Sequence, residues 1–273
     1  AARRLGGRAI VTDHPTGYRR GGGGAVGLAG RLYVQLACGL IRRTGPDFYG
    51  VSAAVCRWLK TFGITAKGCL PNAVDPEALQ REAAQRPMDW RTRLGLSADT
   101  RLVLFVGRLI PEKGAAALAE AVQGLPGTVL VAAGDGPDRS RLQELGAVTA
   151  GAVPHRMVVQ LLNQADVYCL PTRYAEGFPT TLLEAAACGC PILCTPTAGT
   201  EELLPGPAYG TLLEDTSPQT IRAALKTLLD DPDTAREKAR AARSNLCAHF
   251  TWDAVFARIM AIAQEKTKER AGD

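Results

Sequence analysis

The sequence predicts an α/β protein built around a parallel sheet. Between residues 101 and 214, apolar segments of about four to seven residues alternate with helix-forming segments, which is typical of βαβ units. Glycine and polar residues follow strand after strand, at the edge where parallel sheets bind ligands. The 273 residues are 46% hydrophobic and 22% charged, as in ordinary globular proteins, and could form two domains of about 150 residues each.

Residues 1–75 are expected to form a partial N-terminal domain and a linker. RAIVTD at 8–13 predicts a short strand, and GGGG at 21–24 predicts either a flexible segment or a close backbone approach. A helix is expected over 27–43. Residues 48–64 predict a strand and then a helix that Ser52 caps and Gly63 ends. KGCLPNAVDPEAL at 67–79 predicts a strand and a proline-bounded linker, with a boundary near residue 76.

Residues 76–248 are expected to form a second, complete domain. A polar helix over 89–94 precedes the regular alternation. The expected strands are 101–107, 128–134, 147–153, 166–172, 191–196 and 209–214, and the expected helices are 113–125, 138–145, 155–165, 180–188, 199–204 and 218–229. The final segment, 249–273, contains a further helix.

The segment RYAEGFPTTLLEAAACGCPIL, residues 173–193, carries a glutamate on each side of an expected helix start. Pro179 suits a first helical position, since its missing N–H is not needed there. A helix N-terminus attracts anions, and an acidic residue near it is worth about 0.3–1 kcal/mol. This explanation fits Glu176 in the loop, but Glu184 lies more than one turn inside the helix and needs another.

The uneven charge of the chain and its eight cysteines indicate which partners and sites to expect. Residues 1–75 carry 11 Lys and Arg against 3 Asp and Glu, a balance of +8, whereas the remainder carries 21 against 24, a balance of −3. The basic front segment indicates an anionic partner, which would be either a phosphorylated substrate or a lipid surface. Alternatively, it is only a solvated basic face. The eight cysteines form no CxxC pair, so they are interpreted as small buried apolar side chains in a reducing cytoplasm, and no metal site is expected.

The glycine-marked strand ends suggest a phosphate ligand. AAGDGPDRSRL is weak as a dinucleotide fingerprint, because the third glycine is missing, and there is no P-loop GKS or GKT. FVGRLIPEKG carries Arg108 and Lys113 on one loop, where the two cations could hold a diphosphate or could be two surface charges.

Taken in order, VGRLIPEKG, AGDGP, ADVYCLPT and EGFPTTLLEAAACGCPIL resemble the donor-binding half of the retaining group 1 (family 4) glycosyltransferases. The resemblance covers roughly residues 8–262, including AIVTDHPTG, YGVSAAV and the linker-like LPNAVD, where Ala73 replaces the usual glycine. It implies the GT-B fold: two Rossmann-like domains that face a cleft, with a nucleotide-sugar bound to the carboxyl-terminal domain. In that fold the final helix, within 249–273, returns to the N-terminal domain.

The resemblance implies roles for individual residues. Glu184 would accept hydrogen bonds from the ribose, and Glu176 would bind the transferred sugar. Arg108 and Lys113 would hold the diphosphate and stabilise the departing nucleotide, and His14 would face the sugar and the acceptor. The implied catalytic residues are Glu176, Arg108, Lys113 and His14, and the implied donor-binding residues are Arg108, Lys113, Val153, Glu176, Gly177, Phe178, Thr180, Thr181 and Glu184. Val153 would contact the base through its backbone, and His155 lies near that site.

The expected activity is transfer of a sugar from a nucleotide-diphosphate sugar to an acceptor hydroxyl with retention, in cell-surface polysaccharide or glycolipid synthesis. The alternatives are a non-catalytic nucleotide-sugar-binding fragment, since roughly the first half of the acceptor domain is missing, and a GT-B sugar-nucleotide epimerase. No metal, cofactor or nucleic acid is expected. The partners are the donor and a saccharide or lipid-linked acceptor. The expected location is the cytoplasm, and residues 26–43 either pack inside the front domain or touch the inner face of the membrane.

Overall fold

The computed structural model describes residues 10–14, 25–43 and 45–271, which form two parallel sheets flanked by helices. The first sheet contains β1 (Ile10–Asp13), β2 (Asp47–Gly50) and β3 (Gly68–Cys69) in that order. Its helices are α1 (Ala25–Arg43) and α2 (Ala53–Lys60). The GGGG segment at 21–24 lies outside the described residues.

The second sheet has six strands in the order β6-β5-β4-β7-β8-β9, all of whose pairs are parallel. Its strands are β4 (Arg101–Val106), β5 (Thr128–Ala133), β6 (Val148–Gly151), β7 (Val167–Leu170), β8 (Ile192–Cys194) and β9 (Thr211–Leu212). The helices that follow the first sheet are α3 (Pro76–Ala84), α4 (Trp90–Arg93), α5 (Ala115–Val122), α6 (Arg139–Glu144), α7 (His155–Gln164), α8 (Thr180–Ala187), α9 (Thr200–Leu203), α10 (Pro218–Asp230), α11 (Pro232–His249) and α12 (Trp252–Ala271).

The core of the second sheet explains why these segments fold as they do. The side chains of β4 from Leu102 to Phe105 and all of β7 are buried, so both strands carry continuous apolar runs. Strands that helices cover on both faces require such runs rather than alternation. The α/β prediction, with helices on both faces of a parallel sheet, is therefore confirmed.

Three sequence-based expectations are wrong in detail. Residues 76–79, which end the segment predicted as a strand and a proline-bounded linker, instead begin α3, because Asp75 accepts from the Ala78 amide at 2.9 Å and Pro76 occupies the first helical position. Pro179 is the N-cap of α8 rather than its first helical residue. Of the eight cysteines, only Cys169, Cys190 and Cys194 are buried, and Cys247 is exposed.

Several hydrogen bonds connect the first sheet and its linker to the second. The Ser52 hydroxyl donates to the Gly177 carbonyl at 2.9 Å, and the Asn72 side-chain amide donates to the Phe178 carbonyl at 2.8 Å. The Ala53 amide, at the start of α2, donates to the Glu202 carboxylate of α9 at 2.7 Å. The predicted domain limits, 75/76 and 248/249, stay predictions.

Among the helices of the described chain, none is both long and apolar enough to cross a bilayer.

Candidate active site

The order of the six strands indicates where a ligand would bind. β4, the first strand of this sheet along the chain, pairs with β5 on one side and with β7 on the other. The chain therefore builds the sheet outward from β4, first on one side with β5 and β6 and then on the other with β7, β8 and β9. The crevice at such a switch point is the usual ligand site of doubly wound sheets. The loops after β4 and β7, which border this crevice, carry Arg108, Lys113 and Glu176.

Arg108 and Lys113 are brought together by an aromatic ring. Tyr174, in the loop after β7, has the Arg108 guanidinium at 5.1 Å and the Lys113 ammonium at 5.3 Å from its ring centre. Both distances are within the range of cation–π attraction, which holds these cations side by side despite their like charge. The predicted pair is thus a local cluster, with Arg108 exposed and Lys113 mostly covered.

Lys113 also forms an ion pair with Glu176. Each of these side chains is only 13% exposed. The Thr172 hydroxyl lies 3.5 Å from the same Glu176 oxygen, and the Arg173 amide donates to the Glu112 carbonyl at 2.7 Å. The loops after β4 and β7 are therefore joined both through their backbones and by a charge pair, which can exchange partners with a ligand that carries phosphate and hydroxyl groups.

Glycines allow the loops at this edge to approach closely. A Cβ atom on Gly134, whose φ is +143°, would lie 1.8 Å from the Gly107 carbonyl oxygen, and one on Gly114, whose φ is +75°, would lie 2.2 Å from the Pro171 oxygen. Such positive φ angles favour glycine, and the distances leave no space for a side chain. These glycines place the β4 loop against its neighbours after β5 and β7.

The N-terminus of α8 lies directly after Glu176. Pro179 provides no side-chain cap, so the first amides of the helix, including those of Thr180 and Thr181, lack the capping that Ser52 gives α2. Unpaired amides at a helix start bind anions. The Thr181 hydroxyl accepts from the buried Tyr168 hydroxyl at 2.8 Å, which fixes the first turn to β7.

Glu184 lies one turn further along α8 and is only 9% exposed. Its Oε1 atom is 3.2 Å from Nε2 of His155, the first residue of α7. The other ring nitrogen of His155, Nδ1, is 3.1 Å from Oε2 of Glu82 on α3. Glu184 is therefore a buried carboxylate at the sheet edge with a histidine beside it, which dipole compensation does not explain.

The pKa of His155 is raised above its ordinary value of 6.5. Burial alone lowers this pKa, but the hydrogen bonds and the negative charges of Glu82 and Glu184 outweigh that effect. Glu184 also acts on Cys188: burial and the Glu184 charge raise the pKa of that thiol to about 12, which leaves it protonated.

His14 and the backbone of the β7–α8 loop meet between the two sheets. A Cβ atom on Gly177 would lie 1.4 Å from the His14 carbonyl oxygen, so the two backbones are in direct contact. Phe178 is buried and packs edge-on against Phe250 at 5.4 Å between ring centres. This packing anchors the loop, while the His14 side chain is exposed at the end of β1.

The structure thus brings most of the predicted residues to one edge, while their roles stay predictions. Val153 lies between β6 and α7 and packs partly against the core. Tyr174 and Glu82 were not predicted from the sequence. An aromatic residue two positions before Glu176 is a usable signal for Tyr174. Glu82 lies within residues 80–88, for which the sequence predicts no element, so no signal links it to α7.

Within the described residues, no group of three or more His, Cys, Asp and Glu side chains could hold a metal ion.

Comparison of the whole architecture defines the class of protein. The fold superposes on Anabaena HepE, whose crystal structure contains UDP and glucose, with a TM-score of 0.78 over 96% of this chain and 73% of that one. At 18% identity this likeness concerns the fold alone. The protein has the GT-B type of α/β fold, as predicted.

A family model for the glycosyl transferases group 1 matches residues 88–245, which is more than half of the chain. The chain therefore belongs to the group 1 glycosyltransferase family, and the predicted resemblance is confirmed at this level.

Two similar proteins are named for teichuronic acid and for a phosphatidylinositol mannoside. A Bacillus subtilis glycosyltransferase named for teichuronic acid biosynthesis is 41% identical over half of this chain and 34% of its own length. A Corynebacterium glutamicum GDP-mannose-dependent mannosyltransferase, named for monoacylated phosphatidylinositol monomannoside, is 26% identical over 73% of this chain and 56% of its own length. The chain thus matches from about a third to just over half of these relatives.

Proposed function

We propose that this protein transfers a sugar from a nucleotide-diphosphate sugar to an acceptor hydroxyl, with retention of anomeric configuration and without a metal ion or other cofactor. The observation that carries the proposal is the cluster at the switch point, where Arg108 and Lys113 share the Tyr174 ring and Lys113 pairs with Glu176. Two cations beside a helix N-terminus suit a diphosphate.

The proposed chemistry needs stabilisation of a leaving group. When the bond between the sugar carbon and the phosphate oxygen breaks, its electron pair stays on the nucleoside diphosphate. The acceptor oxygen forms the new bond to that carbon, and its proton passes to the released diphosphate. Arg108, Lys113 and the amides at Thr180 and Thr181 would stabilise that growing charge, as preorganised positive groups do in other enzymes. These groups together do the work for which other transferases use a divalent ion.

The carboxylates would bind the neutral parts of the donor. Glu176 would accept hydrogen bonds from sugar hydroxyls once a phosphate group replaces it as the partner of Lys113. Glu184 would accept hydrogen bonds from the ribose hydroxyls. Gly177 and Phe178 would contact the sugar through their backbones, and Val153 would contact the base through its own. His14 would approach the sugar from the first sheet, since its backbone touches Gly177.

The acceptor is proposed to be a saccharide or a lipid-linked molecule in cell-surface polysaccharide or glycolipid synthesis, as the names of the relatives suggest. The proposed location is the cytoplasm, and the alternative is a peripheral position at the inner face of the membrane, which binding to anionic vesicles would show. No nucleic acid takes part.

Donor binding is tested by thermal denaturation with UDP, GDP and ADP, each with and without EDTA. A ligand at 100 times its Kd stabilises a protein by about 2.7 kcal/mol, which for a domain of this size corresponds to roughly 5–10 °C in Tm. We expect one nucleotide to give such a shift, unaffected by EDTA. Arg108→Ala and Lys113→Ala should abolish it, and Arg236→Ala, an exposed cation paired with Asp233 on α11, should not.

Transfer is tested with the matching nucleotide-sugars and an acceptor extract. We expect a product whose anomeric proton has the same configuration as the donor by NMR. Absence of any nucleotide shift would overturn the proposal. A shift without transfer or donor hydrolysis would favour a non-catalytic binding protein, and an altered sugar on the nucleotide would favour an epimerase.

A further inference from the structure

We propose that His155 is a positioning residue of the nucleoside subsite: as an imidazolium it orients the Glu184 carboxylate for the ribose hydroxyls and makes donor affinity depend on pH. This inference rests on the proposed function, because it assumes that Glu184 binds the ribose.

The geometry places a carboxylate oxygen opposite each ring nitrogen of His155. Nδ1 of His155 faces a Glu82 oxygen at 3.1 Å, and Nε2 faces a Glu184 oxygen at 3.2 Å. Ionised carboxylates only accept hydrogen bonds, and a neutral imidazole has a single N–H donor. Both contacts form together only when His155 is an imidazolium. Loss of one proton therefore breaks one of the two contacts.

The charges around His155 favour that protonated state. Of the elements packed on α7, α3 contributes Glu82 and α8 contributes Glu184, and the protonated Cys188 follows the last residue of α8. The other charged groups of the packed elements have partners elsewhere. Glu77 and Arg81 of α3 pair with each other, Arg91 of α4 pairs with Asp166, Arg93 of α4 lies over Trp90, and Arg101 of β4 pairs with Asp230. Two carboxylates against one imidazole agree with the raised pKa of His155.

The position of Glu184 explains what the imidazolium accomplishes. A carboxylate on the flexible side chain of a glutamate can adopt several rotamers, and a bond from His155 to one oxygen selects one of them. The carboxylate still has lone pairs for ribose hydroxyls. Since the nucleotide is an anion, the adjacent positive charge also favours its binding. Protonation of His155 and nucleotide binding should therefore strengthen each other by the same factor.

The first experiment measures the pKa of His155 directly. The chain has three histidines, His14, His155 and His249, so an NMR titration of the imidazole signals is readily assigned with His155→Gln. We expect a pKa above 6.5 without ligand, a lower value in Glu82→Gln, and a higher value when UDP, GDP or ADP is bound, whichever gives the largest thermal shift. Glu77→Gln, also on α3 but paired with Arg81 on the surface, should leave this pKa unchanged.

The second experiment measures the Kd of the same nucleotide between pH 6 and pH 9. We expect binding to weaken by about fivefold as the pH rises through the pKa of His155. In His155→Gln, the Kd still changes with pH because the nucleotide itself titrates. The ratio of the wild-type Kd to the variant Kd at each pH therefore gives the contribution of His155. Glu82→Gln should move the inflection to lower pH, and Glu77→Gln should not.

Identical profiles in the wild type and His155→Gln, or a His155 pKa that the nucleotide leaves unchanged, would overturn the inference while the proposed function stands. A uniform loss of affinity at every pH, accompanied by a lower Tm in His155→Gln, would show a purely structural role and would also overturn it. If the wild type binds none of the three nucleotides, the proposed function fails and this inference fails with it.

Discussion

Tyr174 contacts both predicted diphosphate cations, and the sequence alone does not predict this contribution. We predict that Tyr174→Leu weakens nucleotide binding by about three- to tenfold, because the loss of two cation–π contacts lets Arg108 and Lys113 move apart. Tyr174→Phe keeps the ring and should bind as the wild type does. Calorimetry on the three proteins measures the effect, and equal loss in both variants would assign the role to the hydroxyl instead.

Glu184 permits a second prediction at this scale. Glu184→Ala should lower nucleotide affinity by about 1.5–3 kcal/mol, since the ribose hydroxyls lose a charged acceptor. The change in fold stability should be smaller, because the partner of Glu184 is His155, whose side chain is 48% exposed and can turn to solvent in the variant. Calorimetric Kd and chemical denaturation of the variant are compared with those of Glu144→Gln, an exposed glutamate at the end of α6. Unchanged affinity would disprove the ribose assignment.

The sequence predicted Glu184 but not the residues that it contacts. Glu184 was identifiable because a carboxylate beyond the first turn of a helix has no dipole to compensate, and its burial agrees with that argument. Glu184 contacts His155, and His155 contacts Glu82, so residues 82, 155 and 184 meet although they are far apart in the sequence. Contacts of this range depend on how helices pack against each other, and no local pattern encodes them.

At the scale of elements, the glycines between strands decide how close the site loops lie. We predict that Gly134→Ala lowers the free energy of unfolding by at least about 3 kcal/mol, since the φ of +143° is strained for alanine and the Cβ would overlap the Gly107 oxygen. Gly146→Ala is the matched control: its φ is +81° but its Cβ would have open space, so about 1–2 kcal/mol is expected. Urea denaturation measures both.

Equal costs at Gly134 and Gly146 would mean that the β4 and β5 loops can separate freely. In that case nucleotide binding by Gly134→Ala should also match the wild type, contrary to the tight packing that the structure shows.

The βαβ elements were predictable because apolar strands and helix caps are local signals. Two helices were missed for physical reasons that differ. In α3, Pro76 suits the edge of a linker and the start of a helix equally well, so proline alone does not distinguish them. In α11 the buried stripe consists largely of alanines, namely Ala235, Ala239 and Ala242, and only Leu246 is large. The stripe has helical spacing, but its low hydrophobicity gives a weak signal.

At the scale of the whole molecule, the site depends on contacts between the two sheets. Ser52 and His14 both reach the backbone of Gly177, so the loop that carries Glu176 touches the first sheet at two points. The sequence predicted a two-sheet protein with a serine and a histidine in the front segment. Both residues meet Gly177 because of how the two sheets are placed relative to each other. The hydrophobic periodicity of the sequence does not predict this placement.

Two exposed apolar stripes determine how the chain should behave in solution. Leu32, Leu36 and Leu40 of α1 are 56–63% exposed at four-residue spacing, and Trp252, Phe256 and Met260 of α12 are 43–61% exposed at the same spacing. Contiguous exposed apolar surface promotes association. We predict self-association of the purified chain that increases with concentration and that decreases in Leu36→Glu/Leu40→Glu and in Phe256→Glu/Met260→Glu, as measured by sedimentation velocity.

The stripe on α1, close to Arg42 and Arg43, also permits a membrane contact, and vesicles distinguish the two uses. We expect no co-sedimentation with phosphatidylglycerol vesicles at low salt, because packing against protein explains a stripe of leucines without lipid, and we expect nucleotide affinity to be the same in all variants. Charge attraction to an anionic surface is strongest at low salt, so this condition gives a membrane contact its best chance. Binding to the vesicles that Leu36→Glu/Leu40→Glu abolishes would contradict packing and assign α1 to the membrane surface.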